Sequence, residues 1–312
     1  MNQREGPAGA EARQRPLRWL TPWQRRWPWP GMPSRAGLVV LVASVVGLAG
    51  FFGPFLLPLA QGEDASASAH TADAPLLFAV LTCLSLVAML VVVSDQAGGS
   101  GRAKTVALLG VLVAIDASLR LLPSMLGASP VFLLIILVGA VFGSTMGFQM
   151  GTMTLLLSAL LTGGIGPWLP FQMIVSGWIG MSAGWLPRVS SPRVRIGMLA
   201  AFGAIWGLAF GVLMNLWFWP FAAPGVEADA GLYWLPGLSF AETVVRYARF
   251  YAVTSLAFDA FRAVGNIVLM LALGPAVIRL LERYRVRFTW SPWEDAGAPS
   301  HDEGPRLPVA GS

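Results

Sequence analysis

The sequence predicts an all-α integral membrane protein with eight spans and both termini on the cytoplasmic side. Three observations predict it. Hydrophobic residues make up 55% of the 312, charged residues 12%, and mean hydropathy is +0.65. A soluble domain carries about 25% charged residues. The apolar residues also come in blocks of roughly membrane length instead of amphipathic stripes. Finally, Lys and Arg alternate from side to side along the chain, as the positive-inside rule requires.

The spans run 36–60, 76–93, 104–122, 131–147, 149–164, 171–186, 196–219 and 250–280. Those at 131–147 and 149–164 are short for a hydrocarbon layer of roughly 30 Å. Their glycines, Gly139, Gly143, Gly147 and Gly151, permit close helix approach or a local kink. Inside segments hold seven arginines before residue 36, then Arg102 and Lys104, then Arg188, Arg193 and Arg195, then Arg279, Arg283, Arg285 and Arg287. The outside loops 61–75, 123–130 and 165–170 hold no Lys or Arg, and the long loop 220–249 has only Arg246 and Arg249 at its end.

Around the spans, residues 1–35 read as a cytoplasmic Arg/Trp/Pro-rich arm, with Trp19, Trp23, Trp27 and Trp29 placed for the headgroup region. Arg25-Arg26 is followed by an apolar stretch too long for a signal peptide, so the segment is expected to be retained. Residues 36–95 supply two transmembrane helices, 104–285 a six-helix core, and 291–312 a polar, disordered cytoplasmic tail.

Several chemistries are set aside by the residues. The basic charges flank spans and form no single face, so no nucleic-acid partner is expected. Gly98-Gly99-Ser100-Gly101-Arg102-Ala103-Lys104-Thr105 resembles a phosphate loop only superficially. Ala103 replaces the second glycine and no strand precedes it, so a flexible cytoplasmic loop is expected and no ATP hydrolysis by this chain. The two histidines, His70 and His301, lie outside the spans and make no catalytic or metal site. The single cysteine, Cys83, excludes an internal disulfide and reads as a small buried residue in mid-span. No cofactor, metal site or enzyme activity is expected.

Ionisable residues inside spans stand out. Asp116 and Arg120 are one turn apart in the third span; Asp259 and Arg262, with Asn266 a turn further, lie in the eighth. A charge at mid-membrane costs about 3 kcal/mol by insertion scales, so such groups face a cavity or each other. One reading makes each acid–arginine set a neutralising pair. The other makes them part of a pocket filled from outside, because Asn215, Trp217, Trp219, Trp168 and Gln172 fall at the same outer depth. The tryptophans singly also fit an interfacial belt. In the third span Ala103 and Ala107, then Gly110, Ala114 and Ser118, form small-residue faces, suited to internal packing or to docking a separate membrane subunit.

The segment Gly163-Gly164-Ile165-Gly166-Pro167-Trp168-Leu169-Pro170-Phe171-Gln172-Met173 resembles the loop of cobalamin-type substrate-binding (S) components of energy-coupling factor (ECF) vitamin transporters. Leu137-Val138-Gly139-Ala140-Val141-Phe142-Gly143, with Gly147-Phe148 and Gly151, is similar to the family's glycine-rich hairpin, and Phe258-Asp259-Ala260-Phe261-Arg262-Ala263-Val264-Gly265-Asn266 to its last-helix signature. The resemblance covers about 104–285. It implies an S-component-like six-helix bundle, here with two extra helices at the amino end and a long loop 220–249. It also implies capture of a micronutrient outside the cytoplasmic membrane, cobalamin first among candidates, and work with a transmembrane T component and two ATPase subunits. Ala103, Ala107, Gly110 and Ala114 would meet the T component. Asp116, Arg120, Trp168, Gln172, Asn215, Asp259, Arg262 and Asn266 are the candidate substrate-binding residues. Two other readings stay open: a proton-coupled secondary transporter using Asp116 or Asp259, and a non-transporting membrane enzyme or assembly factor.

Overall fold

A computed structural model describes residues 35–61, 99–121, 129–221, 231–234 and 237–288, with residues 76, 79, 80, 82–84, 86, 87, 90 and 91 between the first two stretches. The arm, both histidines and the tail lie outside the described residues. All that is described belongs to one folded unit starting at Arg35.

Every regular element among the described residues is helical. In chain order they are α1 (Arg35–Gln61), α2 (Gly99–Leu119), α3 (Val131–Phe142), α4 (Ser144–Thr162), α5 (Leu169–Ala183), α6 (Pro192–Phe218), α7 (Phe240–Thr254) and α8 (Leu256–Phe288), with a 3₁₀ turn at Trp219–Phe221 after α6. Arg35–Gly53, Pro192–Phe218 and Leu256–Arg285 are long and apolar enough to cross a membrane, and Val131–Phe142 is a shorter apolar helix.

The centre is α3. Its sequence, VFLLIILVGAVF, has no polar side chain, and every residue from Val131 to Gly139 is buried. A helix that is apolar all round belongs inside a bundle; α3 packs against α2, α4, α5, α6 and α8. It stops at Gly143, whose φ of +102° is a conformation that L side chains rarely adopt. The predicted break near residue 148 is therefore four to five residues late. Gly147 lies inside α4, where its role is close approach: a Cβ on Gly139 or Gly147 would overlap the carbonyl oxygen of Gly180, and one on Gly151 that of Ser176. These glycines let α5 lie against both arms of the α3–α4 hairpin.

A second close pair joins α6 to α8. Gly203, Gly207 and Gly211 recur every four residues on one face of α6, and they meet Asn266, Ala263 and Asp259 of α8. At the far end of the pair Arg195 of α6 forms a salt bridge with Glu282 of α8.

The amino-terminal helix is bound to this core. Trp178 of α5 donates its indole N–H to the Ser44 hydroxyl at 3.0 Å, Gly47 leaves room for Ile174, and Phe51 sits edge-on to Phe171 at 4.9 Å.

Three sequence expectations are corrected. Gly99–Lys104 is the start of α2 and not a loop; the helix begins five residues before the predicted span. Loop 220–249 contains most of α7, and the eighth span starts at Leu256 instead of 250, after the break at Ser255. Cys83 is exposed, beside exposed Leu76, Leu86 and Leu90, so this segment turns much of its apolar surface outward.

Candidate functional site

The sequence-predicted polar residues fall into two groups, carried by different helices. The first is built on α2, α4 and α5. Asp116 of α2 is fully buried and accepts a hydrogen bond from the Thr154 hydroxyl of α4 at 3.1 Å. Its other carboxylate oxygen has no hydrogen-bond partner among the described residues. Arg120, one turn on, does not pair with Asp116: it donates to the side-chain oxygen of Gln172 on α5 at 3.0 Å. The i,i+4 ion pair expected as one reading of these residues is thus absent from the described contacts, and each charge turns to a different neighbouring helix.

The second group lies between α6 and α8. Asp259 and Arg262 form the i,i+3 ion pair that the spacing allows. Arg262 also donates to the Gly207 carbonyl at 3.3 Å and stands 5.2 Å from the centre of the Phe210 ring, a cation–π distance. A turn further, Asn266 donates to the Gly203 carbonyl at 2.8 Å. Gly211 is what makes room for the carboxylate, since any Cβ there would overlap it. Asn215 donates to Ser255 at 2.6 Å, tying the end of α6 to the α7–α8 break. Buried α3 packs against α4 and α5 of the first group and against α6 and α8 of the second.

Trp168 precedes α5, is 43% exposed, and lies against Gly166, which has no side chain to obstruct the ring. Its neighbour Phe171 faces the other way, toward Trp217 (5.0 Å) and Phe51. The start of α5 therefore presents an aromatic side to α1 and α6 and a polar side, through Gln172, to α2.

The outward face of α2 is open. Ala107, Gly110, Ala114 and Ser118 are exposed, and a Cβ on Gly110 would meet nothing within 4 Å. The side chain of Ala103 lies outside the described residues.

Sequence reasoning missed the polar residues of α4. Gln149, Thr152, Thr154 and Ser158 are all buried, and neither amide atom of Gln149 nor the Ser158 hydroxyl finds a hydrogen-bond partner among the described residues. The signal was present: four hydrogen-bonding side chains in an apolar span are as conspicuous as a charge. A buried, unmet polar atom costs about 1–3 kcal/mol, so such atoms collect where water or a ligand completes them. Chemically, among the described residues the first group offers a carboxylate with one unpartnered oxygen, several hydroxyls, an amide and a guanidinium that donates to an amide oxygen. Such groups are suited to hydrogen bonding with a polar molecule, and among the described residues of this group no nucleophile–base pair forms. Among the described residues no three His, Cys, Asp or Glu side chains converge in a manner able to hold a metal ion.

Comparison with known proteins bears on the family of the chain. No curated protein and no solved structure gives a significant match. A family model described as "ECF transporter, substrate-specific component" matches residues 104–274, more than half of the 312-residue chain, from the first turns of α2 into α8. A substrate-binding subunit of an ECF importer is a transport component and not an enzyme; it takes a small-molecule substrate and works with ECF transmembrane and ATPase modules. The chain belongs to the ECF transporter substrate-specific component family.

Proposed function

We propose that this subunit captures a vitamin on the outer side of the cytoplasmic membrane, with cobalamin the leading candidate, and that Asp116, Arg120 and Gln172 carry recognition. The observation behind the assignment is the buried Asp116 carboxylate, which lies in the family-matched region with one oxygen unmet and no cation paired to it. A ligand donating a hydrogen bond to that oxygen, or bringing a cation to it, repays the burial of the charge. Trp168 supplies an exposed aromatic face beside the polar group. Asp259, Arg262, Asn215 and Asn266 hold α6, α8 and the α7–α8 break together, and in this proposal they contribute to recognition from the α6–α8 side.

Cobalamin rests on resemblance at residues 163–173 and in the glycine-rich hairpin. Delivery inward would follow docking of a T component on the open face of α2 at Ala103, Ala107, Gly110 and Ala114. Two ATPase subunits would supply the energy. Both termini inside, eight spans, and the two amino-terminal helices at 36–95 as an addition to the 104–285 core complete the proposed topology.

The test is purification of the full chain and identification of the bound molecule by mass spectrometry and visible absorption. A corrinoid spectrum supports the cobalamin assignment, and a different vitamin at one equivalent replaces it. Co-purification of a T component that is lost on Gly110→Leu or Ala114→Leu supports the docking face; undiminished recovery places it elsewhere.

A further inference from the structure

Helix α7 divides into three sectors by helical spacing. Tyr247 and Phe250 face the protein: the Tyr247 hydroxyl donates to the Val212 carbonyl, and the Trp219 ring packs on both residues at 5.1 and 6.4 Å. A second sector, containing Val244 and Val245, is apolar and about half exposed. The third carries Glu242, Arg246 and Arg249 along one edge of that apolar strip. A groove of about 370 Å³ runs along this edge, lined by Gly231, Ala241, Glu242, Val245, Arg246 and Arg249. Gly231, at φ +66°, has no side chain to fill it, and the Arg249 guanidinium lies 3.3 Å from where a Cβ would stand.

The charges of the described lining residues do not cancel evenly. Glu242 is turned back on the helix start: its carboxylate accepts from the Ser239 backbone N–H at 3.1 Å and from the Ser239 hydroxyl at 2.7 Å. Among the described residues Arg246 donates one long bond, 3.5 Å, to the Tyr233 carbonyl. Among the described residues the groove therefore presents two guanidinium groups against one carboxylate already in use. Helix α7 also sits where the transmembrane helix α6 ends, beside Trp219, and joins α8 at Ser255. A helix with an exposed apolar strip and a cationic edge at that level lies in the membrane interface, with its apolar residues among acyl chains. Its cationic edge is then at headgroup depth, where arginine recognises phosphate through paired N–H donors.

We propose that this groove is a binding site for an anionic phospholipid, with the headgroup phosphate held by Arg246 and Arg249 and an acyl chain lying over Val244 and Val245. The site is separate from the Asp116 group and does not depend on the identity of the transported molecule.

The test uses the full chain in detergent, titrated with dioleoylphosphatidylglycerol or dioleoylphosphatidylcholine, with bound lipid counted by native mass spectrometry. The native chain is expected to retain phosphatidylglycerol more strongly, and the Arg246→Gln/Arg249→Gln variant to lose on the order of fivefold in affinity for its most tightly held molecule. Arg246→Lys/Arg249→Lys, which keeps the charge, should retain most of that preference, and it guards against misfolding of the glutamine variant. Equal retention of phosphatidylglycerol by the native chain and a folded glutamine variant would overturn the proposal. So would its full displacement by inorganic phosphate at equal concentration, which would identify a free-anion site.

Discussion

Asp116–Arg120 and Asp259–Arg262 look alike in the sequence, each an acid with an arginine one helical turn on, and the fold uses them in opposite ways. In α8 the two charges meet each other, in a slot opened by Gly207 and Gly211, and the arginine adds a backbone carbonyl and the Phe210 ring. In α2 they separate: Asp116 turns to a hydroxyl of α4 and Arg120 to an amide of α5. The difference lies in the neighbouring helix. Glycines at four-residue spacing let α6 come close enough to enclose a self-neutralised pair. α2 faces polar side chains that take the partners one at a time. The first arrangement neutralises its own charges, although Asp259 and Asn266 each keep one buried oxygen without a hydrogen-bond partner among the described residues; the second leaves the Asp116 carboxylate without a cation.

The largest effect is expected where the closed pair is broken. Arg262→Met leaves Asp259 buried without its cation, a loss of about 3–5 kcal/mol by comparison with other buried pairs. Thermal unfolding in detergent should show a strongly lowered midpoint, with much of it recovered in the Asp259→Leu/Arg262→Met double variant, where no charge is left stranded. A double variant no more stable than the single one would mean that packing, and not charge, governs this contact. Gly211→Val acts on the same slot from the opposite wall. Overpacking costs about 1–3 kcal/mol, and the displaced carboxylate adds to it, so the midpoint should again fall.

The open cluster should respond differently. Asp116→Asn keeps the size of the side chain and removes the charge, so stability should hold or rise slightly while ligand affinity falls on the order of tenfold. Equilibrium binding and a melting curve on the same sample check both halves of that statement. A lowered midpoint with unchanged affinity would place Asp116 with the structural pair and remove the contrast.

Two smaller effects sharpen the picture away from the charges. Ser44→Ala removes the acceptor for the Trp178 indole N–H and should cost about 1 kcal/mol, measurable as easier proteolysis between α1 and the core. The capping box at Ser239–Glu242 gives a pH effect with a definite sign. Hydrogen bonds from the Ser239 hydroxyl and backbone hold the exposed Glu242 carboxyl below its usual range, with Arg246 adding to the shift. A depressed carboxylate contributes stability that is present above the unfolded pKa and lost as pH falls through the folded one. Amide exchange at Glu242 and Thr243, corrected for intrinsic rates, should lose protection in acid below the normal glutamate range and stay flat above it. Protection unchanged down to that range and below it would mean that the cap does not act through the carboxylate.

Much of the architecture was readable from composition and run length. Helix α1 at Arg35–Gln61 differs from the predicted span by one residue at each end, because Arg35 closes an uninterrupted apolar run. Where glycines cluster, run length says less. Gly143 and Gly147 look equivalent in sequence, yet one takes a positive φ and ends a helix while the other seats a neighbouring carbonyl. Helix α7 was hidden because it is amphipathic and short, although Ser239 followed by Glu242 is a legible capping box. All four ionisable residues of the two acid–arginine sets were found from their place in apolar spans. The Asp259–Arg262 pair was one of the readings that the spacing allowed, but the partners on other helices (Thr154, Gln172 and the Gly207 carbonyl) were not assigned, since spacing within one helix says nothing about which helix lies opposite. The glycine period in α6 and the hydroxyl-rich face of α4 were the available signals, and each is a pattern of small or uncharged residues that a search for charge passes over.

The contrast proposed is between Asp116, which faces a ligand, and Asp259, which closes a structural pair. It is tested most directly by measuring, on one preparation each, the affinity for the co-purified molecule and the melting midpoint of Asp116→Asn and Asp259→Asn. Asp116→Asn is expected to weaken binding on the order of tenfold at an unchanged midpoint, and Asp259→Asn to lower the midpoint by more than it changes affinity. Native affinity in Asp116→Asn, with the larger binding loss in Asp259→Asn, would contradict it.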